Sequence, residues 1–276
     1  LIAIIRKFVE LIIYGNIWIS LGAVALTLNT FLIMGWKFNT RLILLVFFAT
    51  ALSYCFQRIM RHTSGALINS TRHQWIYNNK KSLYSLIIIS SGVSGYLFFT
   101  LFTFYDLLYF SPLIAIALFY AVKVFSISLR DIPFMKIILI ALSWAAVTVL
   151  IPAYINEEPS TNYIWVLFIL NFIYIFALVI PFDIRDLEFD EPEKKTIPQL
   201  IGMRAAKYTA ITLLIICGLL SFVLLKEAVF LIPVYIVSIV VLFQVNDKRK
   251  EFFYACGIDG LILLFPFSTW IIKSYI

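Results

Sequence analysis

The chain runs as long apolar stretches separated by short polar breaks. The stretches approach about 20 residues, the length a helix needs to cross the hydrocarbon core of a bilayer. They lack the period-two alternation over about ten residues that a membrane β-barrel would carry. The pattern predicts nine helices, over residues 11–33, 41–57, 84–104, 107–124, 136–155, 163–182, 205–225, 228–244 and 254–273. Helix breakers and charges mark most boundaries: Gly35, Asn39 and Thr40; Asn156 to Pro159; Pro198 and Gly202; Lys226 and Glu227; Asp247 to Lys250. The break at Tyr105 and Asp106 is the shallowest, because apolar character barely drops there. The expected fold is an all-α polytopic membrane protein forming a single domain over residues 1–276.

Composition agrees with the lipid setting. Only 13% of the residues are charged, where a soluble domain carries roughly 25%. The net charge of +7 does not point to nucleic acid, since the basic residues are dispersed over the loops between spans. They set orientation instead. With the N-terminus inside, only Lys37, Arg41, Lys226 and Lys273 fall outside, and the other 18 of 22 basic residues fall inside. That choice puts the long polar loops 58–82, 125–135, 183–204 and 245–253 on the cytoplasmic face. The expected location is a bacterial inner membrane. No secretory signal stands out, because the first apolar run is too long for one. Cys55, Cys217 and Cys256 lie in or beside apolar runs with no zinc-type spacing, so they read as buried hydrophobes.

The candidate chemistry is concentrated in Pro181-Phe-Asp183-Ile-Arg-Asp186-Leu-Glu-Phe-Asp190, at the end of the sixth run. On a helix, offsets of three and seven would place the three aspartates on one face. Three carboxylates that close need a divalent cation or a basic surface among them. The stretch continues as Lys194-Lys-Thr-Ile-Pro-Gln-Leu-Ile-Gly202. This resembles the second aspartate-rich motif of the UbiA superfamily of intramembrane prenyltransferases. There, D-x-x-D-x-x-x-D is followed by a basic residue, Thr and Pro, then Leu-Gly. Ile201 stands at the Leu position. Leu129-Arg-Asp-Ile-Pro-Phe-Met-Lys136, the helix count and the orientation also look like this family.

The resemblance implies nine helices around a central cavity, holding an isoprenyl diphosphate through Mg²⁺. The isoprenyl group would pass to a lipophilic acceptor. Asp183, Asp186 and Asp190 would be the catalytic and metal-binding residues. Arg61, Arg72 and Lys136 would clamp the diphosphate, and Asn69, His73, Tyr120 and Lys123 would be further contacts. The first family motif, N-D-x-x-D-x-x-x-D, is not kept. Aligned on Asn69, its aspartates become Ser70, His73 and Tyr77, and no acid occurs between Glu10 and Asp106. Three readings stay open. The basic loop could pair with the acids in a non-catalytic structural or lipid-binding subunit, which would have a membrane-protein partner. The arginines could bind a diphosphate while the second motif alone holds a cation. The polar site could serve other membrane chemistry. Asn171 at mid-span reads as a helix-to-helix hydrogen bond more readily than as a cavity residue. Asp259, inside the ninth run, would either pair with a lysine or mark a cavity wall.

Overall fold

The computed structural model describes residues 2–63, 71–120, 122, 129, 132–158, 161–187, 195–225 and 228–275. All regular structure among them is helical. In chain order the elements are α1 (Ile2–Tyr14), α2 (Ile17–Met34), α3 (Thr40–Thr63), α4 (Thr71–Asn78), α5 (Lys80–Leu101), α6 (Phe104–Phe119) and α7 (Met135–Ala145). A π-helical segment (Ala146–Leu150) joins α7 to α8 (Ile151–Ile155), followed by α9 (Asn162–Arg185), α10 (Ile197–Ile201) and α11 (Met203–Leu224). Then come α12 (Ile232–Phe243), a second π-helical segment (Phe253–Ile258), α13 (Asp259–Leu261) and α14 (Leu264–Tyr275). Among the described residues, seven helices or continuous helical stretches are long and apolar enough to span a bilayer. The runs expected at 107–124 and 228–244 form the shorter apolar helices Phe104–Phe119 and Ile232–Phe243. The protein is a polytopic, all-helical membrane protein.

Three local departures from the expected pattern have physical causes. The first run is not one helix: the chain breaks at Gly15 and Asn16, with Asn16 at φ 65°. A Cβ on Gly15 would collide with the Leu11 carbonyl oxygen, so only glycine allows this close approach. The loop expected at 58–82 is partly helical, because α3 continues to Thr63 and α4 occupies Thr71–Asn78. The shallow break at Tyr105 lies instead at Phe102 and Thr103. Asp106 accepts from the Thr103 backbone N–H at 2.6 Å and from its hydroxyl at 2.8 Å. That capping arrangement starts α6 without any loss of apolar character.

The chain packs as two compact units, one of residues 1–24 and 39–129, the other of 25–38 and 130–276. In the first, Cys55, Ile59, Ile76 and Leu83 form a core, with Trp75, Leu86 and Ile87 packed against it. The Asn16 side-chain amide donates to Cys55 Sγ at 3.3 Å. In the second unit, α9 packs against α7 and α11, and the buried polar groups answer one another. Asn171 Nδ2 donates to Thr148 Oγ1 at 3.2 Å, and Thr30 Oγ1 donates to the Thr148 carbonyl at 2.8 Å. Tyr174 and Ser238 share a 2.9 Å bond, as do Ser221 and Tyr235. Thr269 Oγ1 donates to Asn29 Oδ1 at 2.6 Å. With no water to satisfy them in hydrocarbon, such groups must pair within the protein. The three cysteines are free thiols.

The two glycines Gly15 and Gly92 should respond oppositely to alanine. Gly92 lies in α5 with nothing near its missing Cβ, so Gly92→Ala should hold or raise stability by up to about 1 kcal/mol. Gly15→Ala should lower it by about 1–3 kcal/mol. Thermal unfolding of the two variants in mild detergent checks this, and equal midpoints would contradict it.

Candidate functional site

The acidic stretch and Lys136 belong to the second unit. Helix α9 starts at Thr161, whose side chain accepts from the Ile164 N–H, and ends at Arg185. Asp183 therefore sits in its last turn, and Asp186 is the C-cap residue. The helical register that would have carried three aspartates on one face stops here, because the chain leaves the helix at Asp186. Asp190 lies outside the described residues.

Asp183 is buried, with 3% of its side chain exposed, and Lys136 Nζ lies 2.5 Å from its Oδ1. Lys136 is the second residue of α7, a helix that begins after Pro133 and Phe134. Phe134, the N-cap residue, is held at φ 62°, a left-handed conformation that bulky side chains seldom adopt and that costs about 1–3 kcal/mol. The placement of the charges is unusual. A cation in the first turn of a helix and an anion in the last turn both oppose the helix dipole. Lys136 and Asp183 each stand at the unfavourable end of their own helix, and each neutralises the other across the α7–α9 contact.

Asp186 has a different partner. Arg185 Nε donates to its Oδ1 at 2.7 Å and Nη2 to its Oδ2 at 2.9 Å, a two-pronged pair. The guanidinium also lies over the rings of Phe182, at 5.1 Å, and Tyr254, at 5.7 Å. Tyr254 is fully buried in the second π segment, and its hydroxyl donates to the Asn246 carbonyl at 2.6 Å. Glu251 and Asp259 are close enough for their charges to act on Arg185 as well. Sequence reading overlooked Arg185, although its position between two motif aspartates was the available signal. Asp259, expected to pair with a lysine or to mark a cavity wall, is near enough for its charge to act on an arginine.

The remaining sequence candidates are placed as follows. Tyr120 caps α6 and is buried, in the first unit. Arg61 is in the last turn of α3, and Arg72 and His73 are in the first turn of α4, but their side chains lie outside the described structure. Asn69 and Lys123 lie outside the described residues altogether. Among the described residues, no three His, Cys, Asp or Glu side chains come together as a metal-holding group. The run after the acids, Thr196 to Gly202, shapes the entry to α11. Thr196 caps α10 with Gln199 Oε1, which accepts from the Thr196 N–H at 2.8 Å, and Pro198 occupies the first turn. Gly202, at φ 82°, lets the chain pass directly into α11.

These features define a class: a helical membrane protein with an acidic motif at one end of a span, counter-charged by its own lysine and arginine. The chain belongs to the UbiA prenyltransferase family, whose sequence model matches residues 65–251. Among solved structures, it resembles a UbiA homolog from Archaeoglobus fulgidus bound to GPP and Mg²⁺. The TM-score is 0.66 at 14% identity, over 96% of this chain and 99% of that one. The same homolog bound to DMAPP and Mg²⁺ gives 0.64 at 14%, over 97% and 99%. The apo UbiA homolog from Aeropyrum pernix K1 gives 0.60 at 15%, over 96% and 98%. No curated protein matches the sequence.

Removing one partner of the Lys136–Asp183 pair takes away the opposite charge that the other faces at 2.5 Å. Lys136→Met and Asp183→Asn should each lower stability by about 3–5 kcal/mol, and the double variant should recover most of that loss. Unfolding midpoints of the four proteins in one detergent form the test; additive losses would contradict the pairing.

Proposed function

We infer that this protein transfers an isoprenyl group from an isoprenyl diphosphate to a lipophilic acceptor. The site would face the cytoplasm, with the N-terminus inside a bacterial inner membrane. The observation that carries this reading is the Lys136–Asp183 pair, in which two charges are kept at helix ends that oppose them. Stability alone would favour apolar residues at such a place. A ligand that needs both charges accounts for their retention.

Asp183 and Asp186, with Asp190, would hold the Mg²⁺. Carboxylate oxygens suit this hard cation, which usually takes one or two carboxylates and completes its shell with water and phosphate oxygens. Two described carboxylates are therefore a sufficient protein share, even with Ser70, His73 and Tyr77 in place of the first motif. When bound, the ion neutralises charge building on the departing diphosphate. Lys136, released from Asp183, offers its ammonium to the same diphosphate oxygens. By family resemblance Arg61 and Arg72 would be further diphosphate ligands, with Asn69, His73, Tyr120 and Lys123 as additional contacts. The bond from the allylic carbon to oxygen breaks with its electron pair leaving on the diphosphate. A nucleophilic atom of the acceptor then bonds to that carbon and loses its proton.

A second reading has its own observation. Both described acids already carry a basic partner from the same chain. That is what a scaffold without chemistry would show, serving as a lipid-binding or structural subunit beside another membrane protein.

The test is incorporation of labelled isoprenyl diphosphate into lipid by membranes containing the protein and Mg²⁺. Asp183→Asn and Asp186→Ala should each reduce it by roughly a hundredfold or more. No incorporation by the unaltered protein, together with co-purification of a fixed membrane partner, would favour the scaffold.

A further inference from the structure

Arg185 is buried among aromatic rings, and its paired carboxylate is one that a cation-binding site would need. If Asp186 turned to a cation with nothing else nearby, the guanidinium would be stranded in low dielectric, which is costly. The structure supplies an alternative. Nη1 of Arg185 is buried and makes no hydrogen bond among the described residues. The end of α9 packs against the π-helical segment Phe253–Ile258, and the Phe182 and Tyr254 rings meet there at 6.0 Å. That segment leads straight into Asp259, the first residue of α13. Single π-helical turns inside helices frequently mark functional positions.

Asp186 is the guanidinium's hydrogen-bonded partner, and Glu251 and Asp259, on either side of the π-helical segment that carries Tyr254, are near enough for their charges to act on it. Glu251 stands in the polar segment before the last span and can be served by water. Asp259 stands inside the last apolar run, half-buried, where an ionisable side chain is costly and seldom kept without a use. We propose that Arg185 is a positioning residue shared between Asp186 and Asp259, and that Asp259 takes its guanidinium when Asp186 is drawn to a divalent cation. The bidentate pair to Asp186 is then a resting state, and Nη1 is the side of the fork that meets the second carboxylate. The Phe182 and Tyr254 rings keep the guanidinium in place during the exchange, so it pivots rather than leaving for solvent. This rests on the reading that the second acidic motif holds the metal.

The probe is Mn²⁺ alone, added to the intact detergent-solubilised protein and followed by the loss of the free-ion electron paramagnetic resonance signal. Asp259→Asn should weaken Mn²⁺ binding roughly tenfold, as expected for a coupling between two sites, and Asp259→Glu should restore most of it. Arg185→Gln in the Asp259→Asn background should also restore binding, since Asp186 then has no guanidinium to leave. A purely structural role for Asp259 would not be rescued by a second substitution. Equal binding by wild type and Asp259→Asn, or no gain in the double variant, overturns the exchange while leaving the metal reading intact. No Mn²⁺ binding by the wild type overturns both.

Discussion

Charge held against the field of its own helix is the constraint on which the rest of this site depends. Lys136 and Asp183 lie where the peptide dipoles of α7 and α9 disfavour them. Each charge offsets the dipole penalty that the other meets at its own helix end. The ion pair therefore ties the start of α7 to the end of α9 with more specificity than apolar packing provides. It also explains a strained Phe134, since the left-handed turn there sets where Lys136 enters the helix.

The second unit separates two kinds of polar group. Its mid-span rungs, from Thr30 through Thr148 to Asn171 and from Tyr174 to Ser238, are hydroxyl and amide groups closed upon one another. They fix helix positions and carry no charge. The charged groups Lys136, Asp183, Arg185 and Asp186 are confined to one end of α9. Sequence change at that end need not disturb the rungs. The family scaffold can persist while its charge complement changes.

Much of this was legible in the chain. Apolar run length gave the helical membrane class, because the bilayer imposes a minimum span that sequence cannot disguise. The partner of Asn171 was anticipated in kind, and the acids and Lys136 were found by motif. What escaped has identifiable causes. The break at Gly15 and Asn16 depends on one backbone dihedral, invisible in a continuous apolar run. The start of α6 depends on a side-chain cap by Asp106, which made a charge look like a boundary. The Arg185–Asp186 pair was missed because adjacent residues point apart on a regular helix, and these two meet only because the helix ends between them. Asp259 was visible, yet its relation to Arg185 is set by tertiary packing across some seventy residues of chain.

Helix α12 has only 12 residues, a length of about 18 Å at 1.5 Å per residue. The hydrocarbon layer is nearer 30 Å. The carbonyls of Phe243, the last residue of α12, and of Val245 just beyond it are each met by Lys207 Nζ at 3.4 Å, and Arg249 Nε donates to the Gln244 carbonyl at 3.2 Å. Ammonium and guanidinium groups at the end of so short a helix favour headgroups and water around them. The bilayer should thus be dimpled beside α12, and a polar headgroup drifting in the leaflet would find the last span's approach already wetted.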